Sequence, residues 1–410
     1  MPDSKTGASS IRVVQKIAEI PREAWDRCAN PGWCEPGSAG ESASRPAYNP
    51  FVSWDFLEAL EASGTVSAKT GWAPRHAVLE ECGNITAAIP CYAKSHSQGE
   101  YVFDWGWADA FERAGGRYYP KLQVSVPFTP VTGPRLLTAP GPKAAERKRM
   151  LAAGLAELTR RMGASSAHIT FLPEEDAALL GELGYLRRTD QQFHFTDEGY
   201  GDFEGFLSAL ASRKRKAVKK ERREALSGDV EIVWLTGSDV TEDAWDAFFA
   251  FYMDTGSRKW GRPYLNRRFF SLLSERMADR VLLIMAKRNG RFIAGALNLI
   301  GSEALYGRYW GAVEDLPYLH FEVCYYQAID FALKHGLKRV EAGAQGAHKL
   351  ARGYLPATTH SAHFIADPSF RRAVADYLEN ERREVAYQGA VLTERAPFRQ
   401  AEEARDDAAE

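Results

Sequence analysis

Apolar runs alternate along this chain with short turn-forming clusters, and twice they do so in the same order. In the first half, Arg75 to Glu81 (RHAVLEE), a Cys82-Gly83-Asn84 turn, Ile85 to Ala93 (ITAAIPCYA) and Glu100 to Trp107 (EYVFDWGW) read as three strands. In the second half, Val281 to Lys287 (VLLIMAK), an Arg288-Asn289-Gly290-Arg291 turn, Phe292 to Ile300 (FIAGALNLI) and Glu303 to Trp310 (EALYGRYW) repeat the plan. Gly-Asn and Asn-Gly pairs tolerate the positive φ that tight hairpin turns need, so each half predicts an antiparallel meander of at least three strands. Trp105-Gly106 and Trp310-Gly311 then fall at corresponding places.

The two halves stay alike beyond the meanders. In the first half an amphipathic helix over Lys143 to Met162 leads to a strand over Ala167 to Leu172, a helix over Glu174 to Leu183 and a strand over Phe193 to Thr196. In the second, a helix over Phe321 to Lys334 leads to strands over Lys338 to Ala342 and Ser361 to Ile365. An earlier helix is expected after Asn49, with Pro50 at its first position. A meander continued by helix and strand, twice, predicts an α+β protein built from two copies of one domain, with mixed, largely antiparallel sheets flanked by helices. The expected partition is a first domain over 11–200, a helical connector over 201–227 and a second domain over 228–398, with loose polar ends at 1–10 and 399–410.

Composition narrows the class. The chain is 45% hydrophobic, 26% charged and 12% aromatic, which excludes disordered and collagen-like classes. With 52 Lys and Arg against 54 Asp and Glu, the formal charge of −2 offers no general cationic surface to nucleic acid or lipid. The positive charge is local: between Arg213 and Arg223 eight of eleven residues are basic and one is acidic. Five scattered cysteines without a C-x2-C pair support neither a disulfide framework nor a zinc ribbon. Without a secretory signal pattern or a long apolar run, the cytoplasm is the expected compartment. Neither a Gly-rich dinucleotide motif nor a G-x-x-x-x-G-K-[ST] loop is present, which argues against hydride transfer and ATP-driven ligation.

A meander running into Trp-Gly, then a helix and a short strand, resembles the GNAT acyltransferase fold. The tandem pair with a basic helical stretch between resembles the Fem-type acyltransferases, which add amino acids to peptidoglycan precursors. The segments Leu319-His320-Phe321-Glu322-Val323-Cys324-Tyr325-Tyr326 and Glu341-Ala342-Gly343-Ala344-Gln345-Gly346-Ala347-His348-Lys349-Leu350-Ala351-Arg352-Gly353-Tyr354-Leu355-Pro356 look like those of the FemAB-like predicted N-acyltransferase family. The resemblance implies transfer of an acyl or aminoacyl group to an amine of a peptidoglycan-type precursor, peptide or metabolite. No tightly bound cofactor or metal is implied. The Gln/Arg-x-x-Gly-x-Gly/Ala loop by which many GNAT enzymes hold coenzyme A precedes neither helix, so aminoacyl-tRNA stands beside acyl-CoA as donor. A non-catalytic module of the same fold, binding tRNA or an envelope precursor, is the alternative.

Amide formation needs a pocket that aligns two substrates, a base for the amine proton and donors for the developing oxyanion. His320 and Glu322 open a helix, and Glu341 ends a strand in the same half; these are the candidate catalytic residues, with Glu322 or His320 as the base. Gln345, His348, Lys349 and Arg352 lie in the next loop, whose Gly343 and Gly346 allow close backbone approach, and are candidates for holding donor or substrate. Tyr309 and Trp310 offer an aromatic wall, although the alternation from Leu305 to Gly311 favours a strand packed on the core; Arg258, Lys259 and Trp260 form a basic, aromatic loop that suits the acceptor or a plain surface equally well. Cys324 fits the core better than a nucleophile, and His348, His360 and His363 lack the spacing of a metal site. The basic stretch, Arg213, Lys214, Arg215, Lys216, Lys219, Lys220, Arg222 and Arg223, is either a surface for tRNA or another phosphate-bearing partner, or a solvated rod between domains.

Overall fold

A computed structural model of the chain describes residues 9–33, 46–259, 263–343 and 346–399, with backbone alone at 257–259 and 347. Of the ends expected to be loose, 1–10 and 399–410, residues 1–8 and 400–410 lie outside the described residues, while Ser10 begins a strand and Arg399 N donates to Ala209 O. The chain divides into two units, 1–190 with 359–384, and 191–358 with 385–410. This differs from the linear partition: the helices Phe203–Ala209 and Ser212–Ala225, read as a connector, belong to the second unit, and 359–384 belongs to the first. The boundaries fall inside the strands Leu186–Thr196 and Leu355–Ile365, where no break in composition marks them.

In the first unit an antiparallel sheet orders Ser10–Val14, His76–Glu81, Asn84–Ile89 and Leu137–Thr138. A second set of strands orders Trp72–Pro74, Cys91–Lys94, Lys121–Val124, Ser166–Leu172 and residues 360–365. The run read as one strand over Ile85 to Ala93 is thus two strands, divided at Pro90, which has no N–H to give a sheet ladder. Lys121–Val124 and Ser166–Leu172 run parallel, with the helix Ala144–Arg161 between them in sequence. Leu122, Val124, Ala167 and Ile169 share a core with Leu151 and Leu155 of that helix.

Glu100 to Trp107 is not a strand. Tyr101 takes a left-handed φ of 61° and Trp105–Arg113 is a helix, so Trp105-Gly106 opens a helix whereas Trp310-Gly311 lies in a strand. The reason is long-range: Glu100 and Asp104 turn inward to pair with Lys121 of the neighbouring strand. In an extended strand residues four apart share a face but lie about 13 Å from each other, too far for both carboxylates to reach one buried ammonium.

In the second unit the order is Val230–Leu235, Val281–Arg288, Arg291–Ile300, Ala304–Ala312, Arg339–Glu341 and the end of Leu186–Thr196. The first three pairings are antiparallel and carry the expected meander; Ala304–Ala312 and Arg339–Glu341 are parallel. Helical residues from Leu319 to Lys334 connect that parallel pair and bury Val323, Ile329 and Ala332 against Leu282, Ile284 and Leu305 of the sheet. A parallel pair joined through a helix recurs in both units.

Gly311 shows why Trp-Gly ends its strand. A Cβ there would sit 2.2 Å from the carbonyl oxygen of Phe251, in the helix Glu242–Lys259, and backbone cannot yield as a side chain tip can. Gly311→Ala is expected to destabilise the protein by about 1–3 kcal/mol, read as a lowered denaturation midpoint in urea.

Candidate active site

The parallel strands of the second unit pair over only three residues on each, Ala304 to Tyr306 and Arg339 to Glu341. Beyond them Ala304–Ala312 continues, while the chain after Glu341 bonds instead to Phe193, whose carbonyl accepts from Ala342 N and whose N–H donates to Gly343 O, both at 3.2 Å. The strands therefore diverge at Gly307. Arg308, its side chain 3% exposed, lies in the opening and donates Nη1 to Gly307 O at 2.8 Å. On the other lip Lys349 donates Nζ to the carbonyls of Ala342 (2.6 Å) and Gly343 (3.2 Å). Burial pushes the Lys349 ammonium down to about 8, and Arg308 works in the same direction.

One side of this opening is aromatic and carries two imidazoles. Tyr318 has a left-handed φ of 60°, and the chain then enters a helix at Leu319–Phe321 that widens into a π-helical turn, Glu322–Tyr326. Such a turn re-aims side chains and frequently marks a functional site. His320, half-buried, lies with its ring centroid 5.2 Å from Trp310, 5.4 Å from Tyr325 and 6.2 Å from His348. The Tyr325 hydroxyl is 2.9 Å from His348 Nε2, within hydrogen-bonding distance. Arg352 lies 3.4 Å over the Phe321 ring and donates Nη1 to His348 O at 2.6 Å.

Glu322 faces the other way. It is fully buried, accepts from Arg222 through Nε (3.1 and 3.2 Å) and Nη2 (3.0 Å), and accepts from Gln327 Nε2 at 2.7 Å. The carboxylate thus anchors the basic helix Ser212–Ala225 to the π-helical turn. Glu341 is also fully buried, between Arg339 (Nε to Oε1, 3.2 Å) and Arg308 (3.8 Å). Neither carboxylate joins the His320 cluster through these contacts. Of the basic helix, Arg213, Lys216, Lys219, Lys220 and Arg223 are exposed and Lys214, Arg215 and Arg222 half-buried, so it is two-faced rather than a rod solvated all round. Arg222→Met leaves Glu322 buried without its counter-charge and is expected to cost about 3–5 kcal/mol, measured by chemical denaturation, whereas Arg213→Gln leaves the midpoint near wild type.

The remaining sequence candidates separate. Trp310 and His348 join His320, Arg352 reaches the cluster through Phe321 and the His348 carbonyl, and Lys349 holds the neighbouring lip; Tyr309, one residue along the strand from Trp310, packs instead at 5.2 Å from Tyr252 on the other face. Trp260 and Gln345, and the side chains of Arg258 and Lys259, lie outside the described residues. Nothing in the local pattern singles out Arg308, because the carboxylate it faces, Glu341, is distant in sequence.

The first unit holds a buried polar network that the alternation shows only by its period. Lys121 and Gln123, and Ser166, His168 and Thr170, occupy positions opposite to Leu122, Val124, Ala167 and Ile169; that pattern suggests a wet face, yet all are buried. Asp104 accepts from Lys121 and from the Tyr118 hydroxyl (2.7 Å). Burial alone would raise its carboxyl, but Lys121 outweighs this and holds it well below the usual range. His168 Nδ1 and His363 Nδ1 are 2.7 Å apart, so one shared proton joins two neutral rings. Burial, assisted by Lys121, drives His168 down to about 3.

The unfolded chain takes up the His168 proton near pH 6.5, the folded one only near 3, so between these values the unfolded state binds more protons. The stabilisation from this group is complete above pH 6.5 and is lost on acidification toward 3. His168→Asn is therefore expected to show a shallower fall of Tm than wild type between pH 6.5 and 4, measured by thermal melts in matched buffers.

Among curated proteins none matches the chain in sequence. Among solved structures it is similar to FemX at 11% identity, with a TM-score of 0.53 over 89% of this chain and 100% of that one. It is also similar to a tandem GNAT protein from the clavulanic acid biosynthesis pathway (12%, TM-score 0.46, 88% and 99%) and to L-PGS from Bacillus licheniformis (8%, 0.49, 81% and 98%). The likeness to FemX is one of fold, and it bears out the tandem GNAT-type α+β architecture. A family model described as peptidoglycan biosynthesis/recognition matches residues 16–400, and the chain belongs to the FemAB-like family.

Proposed function

We propose that this protein is an acyl- or aminoacyltransferase that forms an amide on an amine of a peptidoglycan-type precursor, using the His320 cluster of its second unit. Family membership and fold support the transferase class. The observation that carries the site is the convergence of His320, His348 and the Tyr325 hydroxyl beside the diverging strands, with the Lys349 ammonium on the same lip.

The chemistry assigned to these residues is simple. The acceptor nitrogen attacks the acyl carbonyl carbon; the C–N bond forms and the ester or thioester bond of the donor breaks. His320, an imidazole suited to proton transfer near neutrality, takes the amine proton, which returns to the leaving oxygen or sulfur. Lys349, with its proton retained below about pH 8, supplies positive charge for the oxyanion. Trp310, Phe321 and Tyr325 wall the site from water on one side. Glu322 serves as the anchor of the π-helical turn rather than as the base. The exposed cations Arg213, Lys216, Lys220 and Arg223 recur at helical spacing and form the surface offered to donor phosphates, tRNA in the favoured reading.

The test sets aminoacyl-tRNA and CoA thioesters as donors in separate arms, with a muramyl pentapeptide carrying a free lysine amine as acceptor, and detects amide product by mass spectrometry. Product is expected in one arm, and His320→Gln is expected to lower kcat by about two to four orders of magnitude at unchanged Tm. Binding of donor or acceptor with no product in either arm would mark a non-catalytic module instead.

A further inference from the structure

The basic run from Arg213 to Arg223 contains one acidic residue, Glu221, and that residue points inward. Its Oε1 accepts from Arg352 Nη2 at 2.8 Å, and its Oε2 accepts from Arg352 Nε at 3.1 Å and from the Tyr326 hydroxyl. Two parallel N–H···O bonds fix both the position and the plane of a guanidinium. Both partners are largely withdrawn from water, Arg352 with 8% and Glu221 with 17% of the side chain exposed. The held guanidinium covers the Phe321 ring and spends its remaining Nη1 on the carbonyl of His348. A continuous set of contacts thus leads from Glu221 to the backbone that carries one imidazole, and to Phe321 and Tyr326 in the helical segment that carries the other.

The helix surface around Glu221 behaves differently. Lys219 and Lys220 are exposed and make surface pairs, with Glu204 of the preceding helix and with Glu224 one turn on. Glu221 is the position where a lysine would put an ammonium against Arg352. The acid belongs to the interior, and the cations around it to the surface.

We propose that Glu221 is a positioning residue for the site: acting through Arg352, it sets the pose of His348 and of residues 346–353. The catalytic part of this inference rests on the transferase reading above; the structural part does not. The helix that reads as a connector is, on this inference, part of the scaffold of the site.

The experiment compares wild type, Glu221→Gln, Glu221→Asp and, as a control, the exposed acid change Glu204→Gln in the full chain. Hydrogen exchange of peptides covering 346–353 is monitored by mass spectrometry, alongside kcat and KM in the amide-forming assay. Glu221→Gln keeps the shape but replaces one acceptor oxygen by an amide nitrogen, so the paired bonds are lost. Exchange within 346–353 is expected to become about tenfold faster, while the strands Val281–Arg288 and Arg291–Ile300 exchange as in wild type. kcat is expected to fall by about ten- to a hundredfold with little change in KM, as for a small misplacement of reacting groups. Glu221→Asp, which keeps the charge on a shorter arm, falls between, and Glu204→Gln matches wild type. Unchanged exchange within 346–353 overturns the proposal, as does faster exchange spread evenly over the second unit, which marks a general loss of stability. A raised exchange with unchanged kcat overturns its catalytic part. Where the wild type forms no amide with either donor, the transferase reading fails, and the exchange data still decide whether Glu221 holds the segment.

Discussion

The buried ion pair between Arg222 and Glu322 joins the basic helix Ser212–Ala225 to the π-helical turn that opens the crossover of the second unit. A carboxylate with no exposed surface needs a partner and further hydrogen bonds to offset its desolvation, and here a guanidinium and Gln327 supply them. Gln327 is in turn held by Trp234 of the edge strand Val230–Leu235, at 2.8 Å. The turn is therefore fixed at its buried face by a helix that precedes it by some hundred residues and by a strand on the far side of the unit. With that face held, His320, Phe321 and Tyr325 are left on the other, where Trp310 and His348 meet them.

The parallel strand pair imposes the second constraint. Two strands that part after three residues expose backbone groups that must find partners, and each lip finds its own: Arg308 on one side, Lys349 on the other. Both are cations with little exposure, and their mutual repulsion adds to burial in lowering the lysine. On the proposed reading, a cation that completes the backbone hydrogen bonds of a splayed sheet also places positive potential where an acyl oxygen would develop charge.

Much of the architecture was legible along the chain. The Asn-Gly turn at Asn289-Gly290, the strands on either side and the helix Ala144–Arg161 depend on local propensity and on side-chain period, and both are properties of adjacent residues. Glu100 to Trp107 broke the pattern for the opposite reason: its acids answer to Lys121, a residue of another strand. The polar positions of Lys121–Val124 and Ser166–Leu172 had the right period and the wrong environment, because alternation says which residues share a face and not whether water reaches it. The loop after Glu341 stood out by composition, and its His348 does lie against His320, while Tyr309 parts from Trp310 by the geometry of any strand.

By itself the sequence determined the repeated α+β plan, the resemblance to tandem acyltransferases, and the two short segments from which the site is drawn. Only the tertiary structure decided the roles within them. It turned Glu322 and Glu341 into buried partners of arginines, left His320 facing an aromatic wall, and made the connector helix part of the second unit. The physical reason is range: turns, helices and strands are set by neighbours within a few positions, whereas the pairing of a buried charge is settled by whichever opposite charge the fold brings to it.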